Sequence, residues 1–265
     1  MRISFADVRP NVAHTLAFVV APGTLQGSAL ASLPEAAQSL GRAAAAALRF
    51  DGEAGAIVEF FAELDGAARR LLLVGLGSKS DYEKAGAALV ARLLTSGEKT
   101  LVVDLVGAPG AKPEEAGAAV ATGATLRAWR YDKYRTKLDA KQRPSLDEVV
   151  IVGAGAEAES RWTANSAVVE GVAFTRELVT EPGNIIYPES FVERCRPLEA
   201  LGVKIEVLDR DAMAALGMGA LLGVAQGSAR APQMLIMRWD GGDAGKAPVA
   251  FVGKGVTFDS GGISL

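Results

Sequence analysis

At 265 residues, 49% apolar and 22% charged, the chain has room for one large or two ordinary domains and too much apolar content to stay unfolded. A net charge of −3 and a pI near 5.4 give no positive field to hold nucleic acid or an anionic membrane. The single cysteine, Cys195, excludes an internal disulfide, suits a reducing compartment and reads as a small buried hydrophobe.

The first seven residues carry no basic cluster leading into an apolar segment, and residues 15–21 form too short a run, ended by Pro22, to act as a leader core. No run approaches the length of a membrane span, so a cytoplasmic protein is expected. Residues 15–20 read as a strand and 34–48, rich in alanine, as a helix with Pro34 in its first turn. Strands follow at 56–61 and 69–77, then a helix at 81–94 capped by Ser80. A strand at 100–106, a helix at 113–129 and a strand at 148–152 complete the first half. Strands spaced by helices predict a mostly parallel or mixed sheet covered on both faces.

Two glycine-rich turns fall in this half. Gly75-Leu76-Gly77-Ser78 lacks the third small residue of a dinucleotide fingerprint. Gly153-Ala154-Gly155-Ala156-Glu157-Ala158 fits Gly-x-Gly-x-x-Ala after a strand, with Glu170 or Glu177 available for a ribose. A complete βαβ unit is missing, because the next helix runs into Pro182-Gly183-Asn184 and a further helix, so the dinucleotide reading is the weaker one. The aromatic and basic stretch from Leu126 to Lys137 could contact phosphates, but an amphipathic helix end with Trp129 and Tyr131 packed down and the basic side chains in solvent is the reading taken. Residues 138–145 read as a solvated loop.

Apolar positions three and four apart over 156–180 predict a helix long enough to link two domains, stopped by Glu181-Pro182-Gly183-Asn184. Beyond it come a helix at 188–201, a strand at 203–208 and a short helix at 209–216. In the following segment Gly217, Gly219 and Gly223 are expected to let backbones pack closely. Strands at 234–239 and 248–252 flank the turn at 240–242. The last of them leads into Gly253-Lys254-Gly255-Val256-Thr257-Phe258-Asp259-Ser260-Gly261-Gly262-Ile263-Ser264-Leu265, which places one amine and one carboxylate in a glycine-rich loop. A serine-protease reading of Asp259-Ser260-Gly261-Gly262 fails, because the one histidine, His14, lies near the far end of an α/β chain. A phosphate loop fails twice, at Pro248 and at Gly255.

That terminal string resembles the signature of the leucyl aminopeptidase family, the cytosolic M17 metallopeptidases that remove N-terminal residues from peptides. Tyr131-Asp132-Lys133-Tyr134-Arg135-Thr136, the segment from Thr175 to Asn184 followed by Pro188, and the segment from Leu216 to Ser228 are similar to further family segments. The resemblance implies an α/β architecture: an N-terminal mixed-sheet, macro-like domain over 1–155, a linking helix over 156–182, and the first part of a catalytic metallopeptidase domain over 183–265. It implies two divalent metal ions, Mn2+ or Zn2+, with Lys254 ligating one and Asp259 bridging both. Their side-chain ends are then expected under roughly 6 Å apart, given metal–ligand bonds near 2 Å. The catalytic residues are expected beyond the position of Leu265, so this chain by itself should be inactive. Peptide substrates with a leucine-type preference, a homo-hexamer, and neither nucleic acid nor membrane as partner complete the expectation. A non-catalytic binding or assembly module built on the N-terminal domain is the alternative.

Overall fold

A computed structural model describes residues 1–25, 30–243 and 245–257. The chain divides into two compact units, Met1–Thr175 and Arg176–Leu265.

The first unit holds β1 (Arg2–Ala6), β2 (Thr15–Val20), α1 (Glu35–Ala47), β3 (Ile57–Leu64), β4 (Ala67–Gly75), α2 (Tyr82–Leu93), β5 (Thr100–Asp104), α3 (Pro113–Ala128), β6 (Glu148–Val152) and most of α4 (Ala158–Thr180). The strands form one mixed sheet in the order β1-β6-β5-β2-β4-β3. All neighbours are parallel except β3 and β4, a hairpin whose turn residues Asp65 and Gly66 both have positive φ, 53° and 76°. That is the backbone an Asp-Gly pair adopts most readily between twisted strands.

β2 shows why the sheet sits at the centre. All six of its side chains are buried, and they alternate between two cores. Leu16, Phe18 and Val20 join Leu71, Leu73, Val102, Val150 and α1 on one face. Ala17 and Val19 join Leu72, Val74, Leu101, Val103 and the apolar sides of α2 and α3 on the other. The period of two thus puts continuous apolar runs to use on both faces, as expected of parallel strands under helices. α2 and α3 approach closely because they meet at glycines. A Cβ on Gly86 would lie 2.2 Å from the Val120 carbonyl oxygen, and one on Gly123 would lie 1.8 Å from that of Glu83.

The second unit contains the end of α4, α5 (Pro188–Cys195), a 3-10 turn (Arg196–Leu201), β7 (Lys204–Leu208), α6 (Arg210–Ala215), α7 (Gly219–Val224) and β8 (Met234–Arg238). Its described sheet is the antiparallel pair β7-β8, with Lys204 opposite Arg238 and Leu208 opposite Met234. Its buried apolar residues include Ile186, Val192, Cys195 and Met213.

Several expectations change. β1 is an edge strand that the reading of the N-terminus passed over; it pairs with β6 from Arg2↔Glu148 to Ala6↔Val152. The cap of α2 is Asp81, whose carboxylate accepts the Lys84 N–H at 2.9 Å, whereas Ser80 sits in the left-handed region at φ 52°. The helix expected over 188–201 tightens into a 3-10 turn after Cys195, where Pro197 has no N–H to donate. α7 was not foreseen, because two of its six residues are glycines. Close packing at Gly217, Gly219 and Gly223 is not found among the described residues: a Cβ at each would have nothing of them within 4 Å. Residues 248–252 form no strand; Val249, Phe251 and Val252 are 81%, 94% and 95% exposed, since no neighbouring strand among the described residues hydrogen-bonds to them.

Candidate metal centre

Lys254 is exposed between Gly253 and Gly255, in a segment with no regular structure from 246 to 256. Asp259, and with it the expected approach to Lys254, lies outside the described residues, as does Ser260. Among the described residues no group of three or more histidine, cysteine, aspartate or glutamate side chains could hold an ion. One amine, even joined by one carboxylate, is the right chemistry for a shared dication site but too few donors for two ions that each take at least four.

The polar side chains of the second unit do other work. Glu181, its side chain fully buried just past the end of α4, receives Arg194 Nη2 from α5 at 2.8 Å. Arg194 also reaches Glu177 at 3.6 Å. This pair fixes the Glu181-Pro182-Gly183-Asn184 turn, where the Pro182 carbonyl accepts the Ile185 and Ile186 N–H groups at 2.8 and 2.9 Å. The Arg230 guanidinium stacks 3.8 Å from the centre of the Tyr187 ring. Asp240, beyond β8, accepts Lys204 Nζ at 2.8 Å and Arg238 Nε at 2.6 Å. The Lys204 hydrogen bond and then that of Arg238 hold its carboxyl below the usual aspartate range. Burial pushes the Cys195 thiol up, which makes it an inert core residue and not a nucleophile.

The other sequence candidates are used structurally. Gly153 turns the chain after β6 at φ 75°, and a Cβ there would lie 2.9 Å from the Val106 nitrogen, so the glycine is needed by the neighbouring loop. Glu177, a possible ribose partner in the dinucleotide reading, faces Arg194. Tyr131 meets Trp129 in a tilted pair and Tyr134 edge-to-face, with ring centres 6.3 and 5.9 Å apart, just beyond α3 and not as part of it. Arg130 hydrogen-bonds Asp132 at 2.6 Å and so lowers that carboxyl's pKa. His14 Nδ1 lies 2.7 Å from the Val12 carbonyl oxygen. The buried pairs Arg194–Glu181 and Arg9–Asp104 were not found by sequence reasoning; their members lie 13 and 95 residues apart and no short motif marks them.

Comparison with known proteins gives the decisive observation. Residues 17–138 match the model of the cytosol aminopeptidase family N-terminal domain, and residues 173–265 match the catalytic domain of the same family. This chain belongs to the cytosol aminopeptidase family. A probable cytosol aminopeptidase of Rhodopseudomonas palustris (strain BisA53) is 43% identical over 249 residues, 89% of this chain and 50% of the relative. One from Caulobacter vibrioides is 41% identical over 272 aligned residues, all of this chain and 55% of the relative. The chain thus spans about half the length of the curated relatives it matches. Among solved structures, a tomato leucine aminopeptidase superposes with a TM-score of 0.75 at 25% identity, over 98% of this chain and 55% of that one. The bottromycin maturation enzyme BotP, in complex with Mn, gives 0.64 at 25% identity over 86% and 46%. The α/β fold, with its mixed N-terminal sheet followed by part of the catalytic domain, is that of this family.

Proposed function

We propose that the protein acts as a metal-dependent aminopeptidase that releases N-terminal residues from peptides, with a leucine-type preference. The observation that carries this reading is the catalytic-domain match over residues 173–265, which takes in the whole glycine-rich string with Lys254 and Asp259. In it, Lys254 and Asp259 would help to hold divalent ions, which would supply a water of lowered pKa and positive charge to offset an oxyanion. Manganese is favoured as the test metal by its presence in the BotP complex. A cytoplasmic location, the domain boundaries at 155 and 182, and a homo-hexamer belong to the same reading.

The 265 residues alone should be inactive, because their donor set is too small to hold two ions. The test uses the chain alone and the chain extended by the second half of the R. palustris relative. Leucine release from leucyl amide is measured with Mn2+, with and without a chelator. Chelator-sensitive turnover is expected only for the extended chain, and Lys254→Ala or Asp259→Ala should abolish it. Turnover by the short chain that survives either substitution would overturn the assignment.

A further inference from the structure

One charged contact of the first unit is unrelated to the metal centre. β5 ends at Asp104, whose side chain is 5% exposed and opposes Phe18 of β2 and Val152 of β6 in the sheet register. It falls on the face that also carries Val102, Val150 and Val152, and α1 packs on the β3 side of that face. Arg9, from the segment between β1 and β2, reaches into this end of the sheet. Its Nε and Nη2 donate to Asp104 Oδ2 at 2.9 and 2.5 Å, and Nη2 also donates to Ser32 Oγ at 2.5 Å. Its guanidinium carbon lies 5.4 Å from the centre of the Phe18 ring, within cation–π range. The other Asp104 oxygen accepts the Val106 N–H at 2.9 Å. A nearly buried carboxylate, a hydroxyl and an aromatic face, drawn from three separate segments, therefore form a seat shaped for a planar cation. That seat lies at the carboxyl end of the strands, where open α/β sheets present their ligand crevices.

We propose that Arg9 is a tethered ligand. It fills a guanidinium seat in the N-terminal unit and latches residues 7–14 as a strap over the carboxyl edge of the sheet, and the vacated seat takes an alkylguanidinium compound. An arginine that merely decorated the surface would leave no selective seat behind when removed.

The test uses the 265-residue chain with Arg9→Ala and ethylguanidinium as the probe, at low-millimolar concentrations matched by ethylammonium. Removing one partner of a largely buried pair should lower Tm by roughly 4–10 °C. Ethylguanidinium should restore part of that loss saturably, ethylammonium should not, and neither should shift the unsubstituted chain or Arg9→Ala/Asp104→Asn. Rescue equal for both cations, or none, overturns the proposal. If Arg9→Ala does not fold, Arg9→Lys keeps the charge and loses the planar fork. Thermolysin cleavage at the exposed Val8 and Val12 should then quicken by about tenfold, because cleavage follows the population of the opened strap. An unchanged cleavage rate rejects the latch.

Discussion

In Met1–Thr175 six strands carry helices on both faces and enclose two apolar cores, whereas in Arg176–Leu265 two described strands and short helices bury few apolar side chains. The difference does not lie in the strands' own sequences. β8 reads Met-Leu-Ile-Met-Arg and residues 248–252 read Pro-Val-Ala-Phe-Val, as apolar as β2 or β6. What differs is the number of neighbours: β2 has a partner on each side, while β8 has one among the described residues. A strand apolar on both faces is stabilised only when both faces and both edges are covered. Large apolar side chains such as Leu216, Val224, Trp239 and Phe251 accordingly lie more than half exposed in the second unit.

Substitutions should separate the two units. The largest effect is expected from Leu73→Ala, which empties a fully buried site in β4 and should cost about 3–5 kcal/mol in urea unfolding followed by far-UV circular dichroism. A loss below about 1 kcal/mol would mean that the first unit is not held by its core. Next comes Arg194→Ala, which removes the 2.8 Å charged hydrogen bond to the buried Glu181 carboxylate. Breaking a buried pair costs about 3–5 kcal/mol, and the 28% exposure of Arg194 brings the expectation to roughly 2–3 kcal/mol, confined to the second unit. Its readout is the labelling rate of Cys195, which should rise steeply while the first unit's unfolding midpoint stays put.

A smaller effect concerns pH. The hydrogen bond from Arg2, and after it that from the Ser4 hydroxyl, holds Glu148 below the ordinary glutamate range despite some burial. A depressed folded-state pKa stabilises fully above the unfolded value and loses that contribution as pH falls through the folded one. Urea midpoints of the parent should therefore fall more steeply on acidification below the ordinary glutamate pKa than those of Glu148→Gln. Parallel curves would refute the role of the β1–β6 contact. Smallest of all is Phe251→Ser, at 94% exposure, which should change stability by no more than about 0.5 kcal/mol and improve solubility. A large loss would mean that the 248–252 segment is packed after all.

The sequence was most legible where local and global demands agree. Residues 15–20 and 148–152 are read to the residue, because an apolar run behind one polar residue (Thr15, Glu148), stopped shortly after by Pro22 or Gly153, fits a central parallel strand. β1 carries Ile3 and Phe5 alternating with Arg2 and Ser4, a period-two signal too short to stand out without its partner in view. Residues 248–252 fail for the opposite reason: the local signal is strong, but a strand exists only with a ladder to join. At the candidate site, Lys254 and Asp259 are marked by residue type and by resemblance to a known string. Geometry could not be read there, because a metal centre is a convergence of distant segments, and spacing along a chain does not encode it.

The pairing of Arg2 with Glu148 also bears on how the protein is made. The sheet order allows β2, β4, β3 and β5 to assemble among themselves, but β1 meets only β6, the last strand of the six to be synthesised. At about 5–20 residues per second, β1 waits roughly 7–30 s for its sole neighbour. Through that interval Ile3 and Phe5 lack the neighbouring strand that aligns them against the core. Slowing translation before residue 148 should lengthen that interval.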